Sequence, residues 1–278
     1  MINRNKIAIQ GIEGSFHHAV ALSYFDTSVD IKCCDSFDEL VNSILQNDAS
    51  QGIMAIENSI AGSIIPNYAL IDQNNLSIVG EHYYQIRHCL LALANQNIED
   101  IFEVHSHPMA ILQCKDFFSK YPHIKLVESD DTANSAKEIF ERNIYNRAAI
   151  ASKNAASLYG LNILENSIQT INNNVTRFVI IQKESSSKKV NYNKAALKFI
   201  LNHKRGSLAN VLNVMSDCKL NLTKIQSLPI IETPGKYSFF VDVTFDSSSF
   251  FDKAQPILEI MALEVKVLGK YINGKNQL

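Results

Sequence analysis

Apolar runs of strand length alternate with helical patterns in residues 1–182. Residues 7–9, 31–34 and 52–56 are strand-like, and the third run is apolar on both of its faces. A strand of that kind is typical of a parallel sheet covered on each side. Residues 37–45 carry apolar side chains at helical spacing. The alternation predicts an α/β fold with a parallel sheet.

Helix and strand signals continue to the end of this segment. Ser106 and Pro108 mark a helix start, and Thr132 is placed to cap another helix. Residues 148–151 and 175–181 have the composition of further strands.

The rest of the chain has a different order of elements. Residues 183–194 are almost entirely polar and predict a linker. After the linker, strands are predicted at 196–201, 222–228, 237–243 and 265–271, and helices at 207–218 and 250–263. The two middle strands are joined by a turn with Pro234-Gly235, and Pro256 is expected to interrupt or start the second helix. The order βαββαβ predicts a ferredoxin-like domain.

Composition narrows the class of protein. The chain has 278 residues, 46% of them hydrophobic, which suits about two globular domains. Lys and Arg number 26 against 28 Asp and Glu, so the net charge of −2 gives no bulk electrostatic reason to bind nucleic acid or an anionic membrane. No signal peptide or bilayer-spanning run is recognised, and the five scattered cysteines suggest reduced thiols. We therefore expect a cytoplasmic protein.

Four polar segments follow predicted strands or begin predicted helices, where α/β proteins place ligands. They are residues 11–16, 57–63, 106–108 and 174–178. Each has a hydroxyl beside a glycine or near a helix N-terminus, and such donors suit a carboxylate or a leaving hydroxyl. Each segment also has a purely structural interpretation, as a turn, a helix cap or a helix start.

Arg177 and two histidines carry separate hypotheses. A guanidinium inside the apolar strand 175–181 needs a partner, which is either an anionic ligand or a structural carboxylate such as Glu57. His105 and His107 would share a strand face, but no third metal ligand is evident at a workable spacing. No metal site is therefore predicted.

In these segments the chain resembles the prephenate dehydratase family. The family's Gly-x-x-Gly-Thr-Phe, Pro-x-Glu-Asn-Ser-x-x-Gly-Ser, His-Cys-Leu-Leu, Ser-His-Pro-Gln-Ala and Asn-x-Thr-Arg-Phe motifs have counterparts in the same order. These counterparts are Gly11-Ile12-Glu13-Gly14-Ser15-Phe16, Ala55-Ile56-Glu57-Asn58-Ser59-Ile60-Ala61-Gly62-Ser63, His88-Cys89-Leu90-Leu91, Ser106-His107-Pro108-Met109-Ala110 with Gln113-Cys114, and Asn174-Val175-Thr176-Arg177-Phe178. One such motif is a weak signal, but five in register are specific.

The resemblance implies a two-lobed catalytic unit like a periplasmic binding protein. One lobe would comprise about 1–77 with 168–182, and the other about 78–167. Residues 195–278 would form a regulatory ACT domain, which in the family binds phenylalanine at a dimer interface. A homodimer or homotetramer is expected.

The implied reaction converts prephenate to phenylpyruvate, water and carbon dioxide, and needs no cofactor. Thr176, Arg177, Asn58 and Ser59 are expected to be catalytic, with Thr176 assisting the leaving hydroxyl and Arg177 orienting a carboxylate. The expected substrate-binding residues are Ser15, Phe16, Glu57, Gly62, Ser106, His107, Gln113, Thr132 and Phe178.

Some positions depart from the family pattern. Ser15 replaces the usual Thr, and His17 and Met109 stand where Ser and Gln are common. In the C-terminal part the family's Glu-Ser-Arg-Pro motif appears as Gln226-Ser227-Leu228-Pro229, so both charges are lost and inhibition by phenylalanine is open. The expected effector residues are Gly206, Ser207, Leu208, Asn221 and Ser227.

Two alternatives to a prephenate dehydratase remain. Arogenate carries an amine in place of the side-chain keto group of prephenate and is an alternative substrate. A non-catalytic amino-acid sensor is the other alternative, although a sensor has no need of the Thr176 hydroxyl.

Overall fold

The computed structural model describes residues 6–25, 28–183, 191–230, 233 and 236–277. The chain divides into two compact units: the first is Met1–Ser63 with Tyr84–Phe178, and the second is Ile64–Tyr83 with Val179–Leu278. The strands are β1 (Lys6–Gln10), β2 (Asp30–Cys34), β3 (Gln51–Asn58), β4 (Gly62–Ser63), β5 (Ser77–Gln85), β6 (Cys89–Ala92), β7 (Glu103–Ser106), β8 (Lys125–Glu128), β9 (Arg147–Ala151), β10 (Asn162–Glu165), β11 (Val175–Gln182), β12 (Lys194–Ile200), β13 (Asn221–Pro229), β14 (Tyr237–Thr244) and β15 (Glu264–Tyr271). The helices are α1 (Phe16–Phe25), α2 (Phe37–Leu45), α3 (Ile65–Gln73), α4 (Pro108–Gln113), α5 (Lys115–Phe118), α6 (Thr132–Arg142), α7 (Lys153–Tyr159), α8 (Ser207–Asp217) and α9 (Ser248–Met261), with single 3-10 turns at Ile98–Asp100 and Gly274–Gln277.

The first unit contains one sheet in which strands follow the order β11, β3, β1, β2. β1 pairs in parallel with both β2 and β3. Ile7, Ile9, Ile53 and Ile56 are fully buried along these strands. The predicted parallel α/β arrangement is confirmed for these three strands.

A second, five-stranded sheet of the same unit has the order β10, β6, β9, β7, β8. β7 is parallel to β8 and β9, whereas β6 is antiparallel to β9 and β10. The prediction of a parallel sheet is therefore confirmed here only for β7, β8 and β9, because β6 runs opposite to both of its neighbours.

The second unit contains the predicted βαββαβ order as β12, α8, β13, β14, α9 and β15. The strands lie in the order β13, β14, β12, β15, with antiparallel pairing throughout, which confirms the ferredoxin-like arrangement. Its core includes Phe199, Val211, Met215 and Phe251. β15 also pairs in parallel with β5 at Gly269 and Ile78.

A buried ion pair joins two strands of the second unit. Lys194 Nζ lies 2.9 Å from both carboxylate oxygens of Glu81, and the side chains are 3% and 0% exposed. The backbone N–H of Gly274 also donates to Glu81 Oε1, at 3.0 Å. The predicted linker included Lys194, but this residue is the first of β12. The polar composition of residues 183–194 does not indicate that Glu81 binds the Lys194 charge inside the fold.

Two local predictions are wrong. Asp131, not Thr132, caps α6, because its extended backbone lets Oδ1 accept from Asn134 N at 2.8 Å. Pro256 lies inside α9 without ending it, and the buried Phe251 and Leu258 hold the helix on both sides of the proline. The Pro234-Gly235 turn and residues 184–190 of the predicted linker lie outside the described residues.

Among the described residues, no helix is both long enough and apolar enough to cross a membrane. The domain limits drawn from the sequence stay a prediction, since compactness and family membership divide a chain by different criteria.

Candidate active site

The side-chain amide of Asn58 is fixed at the end of β3. Its Oδ1 accepts hydrogen bonds from the backbone N–H groups of Ile60 and Ala61, both at 2.9 Å. Because a backbone N–H can only donate, the atom facing it must be the oxygen. Asn58 Nδ2 therefore points the other way, as a donor.

Asn58 Nδ2 donates to two residues that begin or precede β11. One bond reaches Thr176 Oγ1 at 2.9 Å and the other reaches Asn174 Oδ1 at 2.7 Å. Thr176 is only 7% exposed. Since its oxygen accepts from Asn58, the hydroxyl hydrogen remains for a second partner.

The hydrogen-bond network continues from Asn174 to the last residue of α4. Asn174 Nδ2 donates to Gln113 Oε1 at 2.9 Å, and His88 Nε2 lies 2.9 Å from the same oxygen. His88 is 3% exposed. Burial lowers the pKa of His88, and the bond to Gln113 acts in the opposite direction. We call Thr176, Asn58, Asn174, Gln113 and His88 the threonine network.

Arg177 lies on the other face of β11, because successive strand residues point to opposite sides. Its Nη1 is 3.8 Å from Glu57 Oε2, with the Arg177 side chain 4% exposed and Glu57 39% exposed. The contact with Glu57, which the sequence offered as one possible partner of Arg177, is therefore present. The role of Arg177 in orienting a substrate carboxylate stays a prediction.

Ser59 joins the loop after β3 to the start of β11. Its Oγ donates to Asn173 O at 3.1 Å and accepts from Val175 N at 2.9 Å. Its hydroxyl is thus used to hold the two segments together rather than to cap a helix. Gly62 follows with a φ of +83° and open space where a side chain would stand.

The first predicted segment divides its tasks between two residues. Ser15 Oγ accepts from His18 N at 3.2 Å and so caps α1. The ring of Phe16 meets the ring of His88 edge-on, with centroids 5.6 Å apart. Of this segment, Phe16 therefore reaches the threonine network and Ser15 supports the helix behind it.

An aromatic group lies beside Thr176 on β11. Phe178, which shares the strand face of Thr176, is 2% exposed and meets the ring of His17 at 5.0 Å. Phe37 packs on His17 from another direction, at 5.5 Å. The Nε2 atom of His17 is shielded from solvent without a hydrogen-bond partner among the described residues. Burial lowers the pKa of His17 to about 4.

Three predicted site residues have no hydrogen bond to the threonine network in the described part of the chain. Ser106 Oγ donates to Ile150 O at 2.6 Å inside the five-stranded sheet. His107 caps α4, with Nδ1 accepting from Met109 N at 3.2 Å. Thr132 opens α6. The sequence suggested roles for these residues but none for Asn174 or His88, although both stood inside the quoted motifs. The two-residue spacing of Asn174 and Thr176, which both accept from Asn58 Nδ2, was the available signal.

The predicted effector residues all lie in the second unit. Gly206, with a φ of +83°, precedes α8, and Ser207 and Leu208 line a surface hollow together with Lys204 and Tyr237. Asn221 Nδ2 donates to Thr244 Oγ1 at 3.4 Å, and Ser227 pairs with Phe239 across β13 and β14. Asn221 and Ser227 are not among the lining residues of that hollow.

Comparisons with known proteins give one family match and several similar proteins. A family-wide sequence profile described as prephenate dehydratase matches residues 7–186. The chain is 36% identical to arogenate dehydratase/prephenate dehydratase 2, chloroplastic, of Arabidopsis thaliana, over 97% of this chain and 73% of that protein. It shares 25% identity and a TM-score of 0.89 with GqqA, described as a novel type of quorum quenching acylase, over 98% of this chain and 100% of GqqA. The fold also matches prephenate dehydratase from Arthrobacter aurescens in complex with L-Phe, with a TM-score of 0.88 at 23% identity, over 98% and 91% of the two chains.

Proposed function

Because the chain belongs to the prephenate dehydratase family, we propose that it converts prephenate to phenylpyruvate. The ring carboxylate leaves as carbon dioxide, its electron pair passes through the ring, and hydroxide leaves from the opposite ring carbon and takes up one proton to become water. The observation that carries the proposal is the Thr176 hydroxyl, which accepts a hydrogen bond from Asn58 Nδ2 at 2.9 Å and keeps its hydrogen for a ligand.

Thr176 is suited to assist the departing hydroxyl. A hydroxyl that accepts one hydrogen bond becomes a stronger donor of another, because the bonds polarise each other. A donor held at the oxygen on which charge develops stabilises the transition state more than the ground state. Removing one donor of this kind typically lowers kcat about 100- to 1000-fold.

The threonine network transmits orientation and not protons. The bonds between Thr176 and Gln113 pass through three side-chain amides, those of Asn58, Asn174 and Gln113. Amides donate and accept hydrogen bonds but do not exchange a proton as carboxylates or imidazoles do. Thr176 therefore acts as a hydrogen-bond donor, and the proton that completes the water molecule comes from solvent.

Arg177 is proposed to supply positive charge for a carboxylate of the substrate. Its guanidinium is buried, and Glu57 balances the charge from 3.8 Å while remaining partly exposed. That separation exceeds a hydrogen-bond length, so the Glu57 contact is electrostatic. Substrate binding and the pair with Glu57 then compete for the same cation.

The proposal is tested by incubating the purified chain with prephenate at neutral pH without added metal or nucleotide. Phenylpyruvate is measured by its ultraviolet absorbance in alkali, against a no-enzyme control for spontaneous conversion. We expect product at a rate proportional to protein concentration. A rate equal to that of the control at micromolar protein would reject a dehydratase.

Arogenate is the alternative substrate, and the name of the Arabidopsis relative includes arogenate. Both substrates carry the same ring hydroxyl and ring carboxylate, so the Thr176 chemistry serves either one. A comparison of kcat/KM decides between them, with prephenate expected to have the higher value. A higher value for arogenate would change the substrate and leave the role of Thr176 intact.

An acylase is a second candidate, because GqqA shares the fold over nearly the whole chain. Amide hydrolysis commonly uses a hydroxyl or thiol activated by a neighbouring base. Among the described residues, neither Ser15 nor Ser106 has a hydrogen bond to a histidine or carboxylate side chain that could act as this base: Ser15 Oγ accepts from His18 N, and Ser106 Oγ donates to Ile150 O. This use of the two serines favours the dehydratase, and release of free amine from an N-acyl substrate by the same preparation would reverse the choice.

We further propose that residues 195–278 act as an ACT domain, that L-phenylalanine is an effector, and that the protein is a cytoplasmic dimer or tetramer. The ferredoxin-like order of β12 to β15 supports the domain type, and the fold shared with a protein solved with L-Phe supports the effector. Size-exclusion chromatography with light scattering tests the oligomer.

A further inference from the structure

His88 occupies the end of the threonine network opposite to Asn58. The polarity of the network is fixed in turn by each bond: the backbone N–H groups of Ile60 and Ala61 set Asn58, whose Nδ2 then sets Asn174. Asn174 Nδ2 in turn requires an oxygen at the facing atom of Gln113. That oxygen requires a donor at His88 Nε2, 2.9 Å away.

This sequence of bonds determines the tautomer of His88. The imidazole must carry hydrogen on Nε2, and burial lowers its pKa, which favours the neutral ring. Nδ1 is then a bare acceptor, and it has no hydrogen-bond partner among the described residues. The ring thus keeps an unsatisfied buried atom while it donates from the other nitrogen, and such an atom destabilises a fold.

We propose that His88 is a positioning residue for the dehydration that we assign to this site, acting on Thr176 through Gln113, Asn174 and Asn58. A rotated Gln113 amide would place an NH₂ against Asn174 Nδ2 and break the bond that holds Asn174. Asn174 Oδ1 would then be free to move away from Asn58 Nδ2, the same nitrogen that donates to Thr176. The His88 hydrogen bond excludes that rotation, because an imidazole N–H cannot face a second donor. The network is in this way fixed from both of its ends.

The test uses two variants of His88 and one control. His88→Leu removes the donor together with the unsatisfied Nδ1, and His88→Gln keeps an N–H able to reach Gln113. His105→Leu is the control, because His105 contacts Glu103 on β7 and has no bond to the network. For each variant kcat, KM and the melting temperature are measured with prephenate.

We expect His88→Leu to lower kcat about tenfold or more with KM within about twofold, while its melting temperature does not fall below that of the unchanged protein. His88→Gln should recover most of kcat, and His105→Leu should leave kcat unchanged. An unchanged kcat in His88→Leu would overturn the inference. So would a loss of kcat that follows loss of folded protein, or equal losses in the Leu and Gln variants.

A second measurement separates this inference from the proposed function on which it rests. Nitrogen-15 NMR of labelled histidine reads the tautomer without any substrate. His88 should show a protonated Nε2 and a bare Nδ1 at neutral pH, and Gln113→Leu should release that preference. A protonated Nδ1 would reject the positioning role even in an active enzyme, whereas the expected tautomer in an inactive protein would reject only the dehydratase.

Discussion

At the scale of single residues, the two faces of β11 have different tasks. Thr176 and Phe178 share one face, where Asn58 and the His17 ring meet them. Arg177 lies on the other face with Glu57. Three consecutive residues therefore serve hydrogen bonding, charge and ring packing separately, and substitutions in them should have separable effects.

The Thr176 hydroxyl is tested with a matched pair of variants. Thr176→Val keeps the shape and removes the donor, and Thr176→Ser keeps the donor. We expect the Val variant to lose about 100-fold or more in kcat with little change in KM, because the donor acts mainly in the transition state. The Ser variant should stay within about tenfold of the unchanged enzyme. A Val variant that changes only KM would show that Thr176 merely binds substrate.

The Arg177 charge is tested against its neighbour. Arg177→Lys loses the planar fork that grips a carboxylate and should raise KM about tenfold, which corresponds to about 1.4 kcal/mol of binding free energy. Glu57→Gln should not raise KM, because the carboxylate that competes with substrate is gone. If Glu57→Gln raised KM as much as Arg177→Lys, the pair would be needed intact and Arg177 would not bind substrate directly.

His17 predicts a pH dependence of stability. The unfolded chain takes a proton at a pKa near 6.5, whereas the folded ring does so only at about 4. The contribution of the neutral His17 ring to the free energy of unfolding is therefore fully present above pH 6.5. It falls as the pH decreases toward 4, by up to about 3 kcal/mol. Urea denaturation at pH 7.5 and pH 5 should show a smaller loss in His17→Phe than in the unchanged chain. Equal losses would mean that His17 takes up its proton at the same pH in the folded and the unfolded chain.

Thr176, Asn58 and Gln113, which the structure joins in one hydrogen-bond network, were selected from the sequence mainly through its resemblance to the family's motifs. The sequence was not sufficient for His88, whose importance depends on which atom of Gln113 faces it. It also could not reveal that the Ser106 hydroxyl is used by Ile150 O, since a buried contact between β7 and β9 leaves no local mark on the sequence.

At the scale of elements, strands are positioned by contacts from residues distant in sequence. Ser59 and Asn58 tie the end of β3 to the beginning of β11. The helices that the sequence predicted start within two residues of the observed positions, whereas α3 was not predicted. Asp131 and Thr132 are adjacent residues of similar capping ability. Backbone angle decided between them, and this angle is a property of the folded loop.

The Lys194–Glu81 pair gives a prediction about β12 and β5. Lys194→Met leaves a carboxylate buried without its cation and should lower the free energy of unfolding by about 3–5 kcal/mol. Replacing both residues, Lys194→Met with Glu81→Leu, should recover most of that loss, because no charge remains to be desolvated. Chemical denaturation of the two single variants and the double variant provides the cycle. A double variant as unstable as the sum of the single variants would show that the charges act independently.

At the scale of the whole chain, the family profile and the compact units end at different residues. The profile matches residues 7–186, whereas the second unit comprises Ile64–Tyr83 and Val179–Leu278. Residues 64–83 precede Tyr84–Phe178 of the first unit in sequence, but they belong to the same compact unit as the ferredoxin-like segment. The sequence predicted a boundary at the polar run because a polar composition indicates solvent exposure. Composition does not show which strands pair, so it could not indicate that residues 64–83 belong with the carboxy-terminal segment.

Control by phenylalanine is tested in the dehydratase assay. Ser207→Trp fills the hollow at α8, so we expect L-phenylalanine to inhibit this variant at least tenfold more weakly than it inhibits the unchanged chain. Gln226 and Leu228 stand where the family motif supplies two charges. Gln226→Glu with Leu228→Arg is the complementary variant and should strengthen inhibition. No effect of phenylalanine on either the unchanged chain or the double variant would remove it as an effector.

Gly269 has a consequence for attempts to treat the chain as separable modules. A Cβ on this residue would stand 2.1 Å from the carbonyl oxygen of Ile78, so β15 approaches β5 more closely than any side chain permits. A fragment cut after residue 182 would leave β5 without this neighbour and Glu81 without Lys194. Its bared strand edge and stranded carboxylate would favour insolubility over independent folding. Gene fusions and swaps that respect this architecture must carry residues 64–83 together with the carboxy-terminal segment.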